Sequence, residues 1–106
     1  MKQSKIDTIR RNLEISADLT VEEIERLEEY KEEAHYTIRE LENEYEELQF
    51  PFVPYYNDEY PRKRMREIEN EIEEQRELYG IICDEIADMK KALKSINDAL
   101  DAIFEC

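Results

Sequence analysis

Few residues in this chain are suited to chemistry: one histidine, His35, two cysteines, Cys83 and Cys106, and a large excess of carboxylates beside a single glycine. Glu32-Glu33-Ala34-His35 contains Glu-x-x-His, the i,i+3 pair of di-iron carboxylate bundles. That chemistry needs two such pairs and two further inward glutamates on four helices. A second pair would have to come from a dimer, and nearly every third residue nearby is Glu, so the motif reads as chance on a solvated face. A zinc site or hydrolase triad needs convergent His or Cys, and phosphate-cradling loops need several glycines. Glutamates spaced for acid/base work abound, but without a pocket nothing separates their pKa values. Cys83 falls one position past an apolar seam residue and reads as a partly buried structural thiol with no basic neighbour to activate it. Cys106 reads as exposed. The two lie 23 residues apart, roughly 34 Å along one straight helix, too far to join within a chain. Neither catalysis, a metal nor a cofactor is expected, and reduced thiols suit a cytoplasmic protein.

The elements that hold these residues are clearer than their chemistry. From Met65 to Ile103 apolar residues return at alternating spacings of three and four: Met65, Ile68, Ile72, Tyr79, Ile82, Ile86, Met89, Leu93, Ile96, Leu100 and Ile103, with only Gln75 polar in phase. That period of about 3.5 marks a helical seam that a partner helix must cover. A second seam, Ile24, Leu27, Lys31, Ala34, Ile38, Leu41, Tyr45 and Leu48, predicts a helix over 20–49, in which Lys31 lays its methylenes along the seam. Thr20-Val21-Glu22-Glu23 fits a capping box, and Leu19 with Ile24 fits a hydrophobic staple, so a new helix is expected to start at Thr20. A separate short helix over 3–16 carries Ile6, Ile9 and Leu13. Pro51, Pro54 and Pro61 end the second helix in a connector, 50–61, and Asn57 or Asp58 would cap the third helix, 59–104. Gly80 marks a soft point or a close backbone approach.

The expected fold is all-α: one domain, 1–106, with an antiparallel coiled-coil hairpin of two long helices. The short N-terminal helix covers the overhang, making a three-helix bundle at one end. Extra apolar residues off the seam there, Ile81, Ala92, Ala99, Ala102 and Phe104, ask for a second neighbour, either the third helix or a second chain. No apolar run reaches the roughly 20 residues of a membrane span, and the N-terminus lacks a signal-peptide core.

Function is therefore sought in binding. The formal charge of -14 disfavours direct contact with nucleic acid or an anionic membrane and favours a basic partner. Residues 20–49 carry twelve Glu against three bases, far from the alternating signs of an ordinary coiled-coil exterior. Glu28, Glu29, Glu32, Glu33, Glu40, Glu44 and Glu47 form the candidate acidic face, an array electrostatically like a phosphate ladder. The connector concentrates Phe50, Phe52, Tyr55, Tyr56 and Tyr60. It either plugs the end of the core or serves as a binding tip of Tyr55, Tyr56 and Tyr60 beside Arg62 and Arg64.

A small, acidic, helical, cysteine-poor chain resembles, in physical type, the anti-restriction and anti-CRISPR inhibitors of phages and mobile elements. The resemblance implies a non-catalytic DNA mimic that blocks the nucleic-acid-binding surface of a protein partner. The alternative reading is a structural coiled-coil adaptor or assembly protein, forming a homodimer or a bundle with a partner's helix.

Overall fold

The computed structural model describes residues 2–49 and 59–105. It contains two α-helices, α1 (Lys2–Gln49) and α2 (Glu59–Glu105). The expected break before Thr20 is absent, so the fold is a two-helix one and not the three-helix arrangement expected above.

Local chemistry explains the difference. Between residues 2 and 49 there is neither proline nor glycine, and Ser and Thr, though better at a cap, are accommodated inside a helix by bonding back to the i-4 carbonyl. Thr20 does the former: its Oγ1 donates to the Ser16 carbonyl at 2.7 Å. Leu19, the expected staple residue, is 60% exposed while Ile24 is buried. The 3-4 spacing also continues backwards through Arg10, Leu13, Ala17 and Thr20 to Ile24, all half-buried or buried. The seam never stopped; its members there are only less apolar. At the other end, α2 begins within a residue of its expected limit, with Pro61 in the first turn, where a missing N–H costs nothing.

The chain divides into two compact units, Tyr30–Ile82 and a terminal unit of residues up to Glu29 with those from Cys83 onward. In each, α1 and α2 run antiparallel. In the Tyr30–Ile82 unit, Ala34, Ile38 and Leu41 of α1 and Ile68 and Ile82 of α2 are buried, Ile68 completely. Lys31 is half-buried, and its Nζ lies 5.7 Å from the centre of the Tyr79 ring, a cation–π contact at the edge of that core. In the terminal unit Ile24, Leu27 and Ile86 are buried. The seam residues Leu13, Ala17, Met89, Leu93, Ile96, Leu100 and Ile103 are only half-buried. With no third helix among the described residues, Phe104 and Ile9 stand 65% and 52% exposed. Gly80 is helical, and a Cβ added there would meet nothing within 4 Å, so no backbone approaches it.

Candidate binding surface of the acidic helix pair

Residues 30–82 carry fifteen acids against seven bases, and several of those bases are already engaged. Arg64 is the most committed. Its Nε and Nη2 donate to the two carboxylate oxygens of Glu44 at 2.8 and 2.9 Å, a bidentate fork between the helices. Its Nη1 reaches Glu71 at 3.3 Å and Glu67 at 3.4 Å. These hydrogen bonds from Arg64 hold the Glu44 carboxyl below its usual range and raise the guanidinium above its own. The arginines at the start of α2 needed a compensating contact against the helix dipole, and for Arg64 that contact is the end of α1. At 25% side-chain exposure Arg64 is an internal clasp.

The seven glutamates expected to form one face are therefore not equivalent. Glu28 and Glu29 belong to the terminal unit, where Glu28 lies 3.7 Å from Lys90 Nζ. Glu32, Glu33, Glu40, Glu44 and Glu47 belong to the Tyr30–Ile82 unit. Glu44 is held by Arg64, and Glu40 beside the Tyr36 hydroxyl raises the Tyr36 pKa. Glu32, Glu33 and Glu47 remain exposed with no ion pair among the described residues. Of the expected tip, Tyr55 and Tyr56 lie outside the described residues, as do Asn57 and Asp58. Tyr60 lies in the first turn of α2, and Arg62 is exposed in the next.

Pairing the helices creates a groove that neither helix shows alone. Glu42, Tyr45, Glu46 and Gln49 of α1 and Glu69, Ile72, Glu73 and Arg76 of α2 line a space of about 690 Å³. Tyr45 Oη donates to Glu69 Oε1 at 2.9 Å, which raises the phenol's pKa, and Arg76 lies 3.6 Å from Glu42. Glu46 and Glu73 have no ion pair among the described residues. An aliphatic stem can lie along Ile72 and Tyr45 while its cationic head meets Glu46, Glu69 or Glu73; Lys and Arg have that shape. Sequence reading missed Glu69 and Glu73 because they become neighbours of Tyr45 only once the antiparallel register is known.

A second groove, about 500 Å³, is lined by Lys31, Glu32, His35, Tyr36, Arg39 and Tyr79. The Glu32/His35 pair lies here beside two cations, with the His35 ring 6.3 Å from that of Tyr79. Lys31 and Arg39 would compete with a cation for the one carboxylate lining it, Glu32. Among the described residues no cluster of three or more His, Cys, Asp or Glu side chains is placed to hold a metal ion, and no helix is long and apolar enough to cross a membrane. No family model, curated protein or solved structure matches the chain.

Proposed function

We propose that the chain is a non-catalytic cytoplasmic inhibitor whose acidic helix pair docks on a basic, nucleic-acid-binding surface of a protein partner and blocks it, in the manner of anti-restriction and anti-CRISPR proteins. One observation carries the reading: the charge imbalance of residues 30–82 coincides with a groove whose tyrosine, isoleucine and glutamates, Glu46 and Glu73 having no ion pair among the described residues, suit Lys or Arg side chains. Solubility alone needs no such excess. Carboxylates spaced along both helices replace phosphates at the partner, and the groove adds desolvated contacts to long-range attraction.

Affinity capture of the tagged chain from host lysate tests this. The captured partner is expected to handle nucleic acid, nucleic acid is expected to compete for it, and association should slow by about tenfold or more as salt shortens the Debye length. A variant carrying Glu46→Gln, Glu69→Gln and Glu73→Gln should lose the partner while staying helical. Binding that is indifferent to salt and to these substitutions would rule the mechanism out.

A further inference from the structure

One side of the terminal unit differs from the rest of this acidic molecule. On α1, Ile9, Asn12, Ser16 and Leu19 each immediately precede a seam residue, and all four are exposed. On α2, Ala92, Ser95, Ala99 and Ala102 do the same, with Ala99 half-buried and the others exposed. In an antiparallel pair, positions one residue before the seam open on the same side from both helices, because each helix turns about 100° per residue in the same hand. Over residues 9–19 and 92–102 they form two parallel stripes at coiled-coil spacing without a single Asp or Glu, which end where Glu23 and Asp88 take the next such positions. One stripe ends in large apolar residues; the other is entirely small.

Charge identifies what covers them. Residues 2–19 carry four bases against three acids and residues 89–105 three against three, so this part holds +1 of a chain whose formal charge is -14. A second copy approaching residues 30–82 meets a strongly like-charged surface; at these outer segments it meets almost no net charge. The pattern is also self-complementary about a two-fold axis crossing the helices. Reversing α1 on itself places Ile9 against Leu19 of the second copy and Asn12 against its Ser16. Reversing α2 places Ala92 against the other Ala102 and Ser95 against the other Ala99. The two reversals centre near residue 14 of α1 and residue 97 of α2, which lie within about one helical turn of each other given that Arg10 lies over the Phe104 ring within the copy. Small side chains let the α2 helices approach closely while the longer residues of α1 fill the wider gap.

We propose that two copies of this chain associate, antiparallel, through the stripes Ile9/Asn12/Ser16/Leu19 and Ala92/Ser95/Ala99/Ala102, closing a four-helix bundle at the terminal unit. The contact is isologous and stands independently of the function proposed above. It gives each assembly two acidic grooves, so a partner presenting two basic sites is bound with avidity.

Sedimentation equilibrium of the full chain with Cys106→Ser, which removes accidental disulfide cross-linking, tests the interface. The mass is expected to rise with concentration from 12.9 kDa towards twice that value. Ala92→Gln with Ala99→Gln adds bulk to the stripe using another good helix former, and should raise the dissociation constant about tenfold or more while circular dichroism keeps its helical signal. Val21→Gln, an exposed apolar position on the opposite flank, should leave the dimer unchanged. A mass of one chain at every concentration, as expected if a foreign helix covers the face or nothing does, overturns the proposal. So does a dimer that ignores the Ala92/Ala99 double variant or responds equally to Val21→Gln.

Discussion

The Tyr30–Ile82 unit and the terminal unit are built from the same two helices by the same 3-4 spacing, yet one is finished and the other is not. In the first, buried Ala34, Ile38, Leu41, Ile68 and Ile82 line the seam and Arg64 bridges the helices. Among the described residues 2–23 and 87–104 no side chain is fully buried. The closed pair has a buried seam and an acidic exterior to offer, with Tyr36, Leu78 and Ile81 exposed on its flanks. The open stretch of the terminal unit, residues 2–23 and 87–104, has apolar needs unmet and, with eight acids against seven bases, little net charge to keep another copy away. Spacing alone therefore makes a seam but not a core; residue size and polarity at each seam position decide whether two helices suffice.

Substitutions at matched positions should expose that difference. The largest effect is expected at Ile68, where truncation to Ala leaves a cavity in the finished pair and costs about 2–5 kcal/mol in urea unfolding. Leu93→Ala, at a half-buried position of the open pair, should cost about 1 kcal/mol at low concentration and more where chains associate. Equal costs at all concentrations would erase the contrast. Thr20 tests helix continuity by sign. As a half-buried seam residue bonded back to Ser16, its replacement by Leu should stabilise by about 1 kcal/mol, whereas loss of a helix cap would destabilise by a similar amount. Gly80→Ala meets open space and should raise stability by about 0.8–1 kcal/mol, since the helix loses only a flexible residue.

The smallest effect concerns pH. Because the Arg64 fork lowers the Glu44 pKa from its ordinary 4.5, its contribution is complete above that value and disappears as pH falls through the lower folded one. The urea midpoint of the native chain should therefore exceed that of Arg64→Gln near neutral pH, and the gap should close in acid. A gap that is constant with pH would remove the clasp from the account of this pair.

Much of this architecture was legible in the residues. The seam from Met65 to Ile103, the antiparallel pairing and the limits of α2 all follow from spacing and three prolines. The false break before Thr20 arises because Thr-x-x-Glu, the pattern of a cap, is also tolerated inside a helix when Thr bonds back to the i-4 carbonyl, and because Arg10, Ala17 and Thr20 are weak seam members. The absence of proline and glycine before residue 50 was the better guide. Charge on α1 was legible too, but the groove was not. Which glutamates are held, as Glu44 is by Arg64, and which line a groove with Tyr45, as Glu69 and Glu73 do, depends on cross-helix register. The off-seam residues Ala92, Ala99 and Ala102 ask for a further neighbour, and the third helix expected to meet them is absent among the described residues.

Residue-resolved amide hydrogen exchange at low and high protein concentration tests the contrast between the units most directly. Protection in residues 9–20 and 92–103 is expected to increase with concentration, while residues 34–45 and 65–82 exchange at the same slow rates throughout. Concentration-independent protection along both helices, or changes centred on residues 34–45, would contradict a closed acidic pair joined to an open one that a second copy completes.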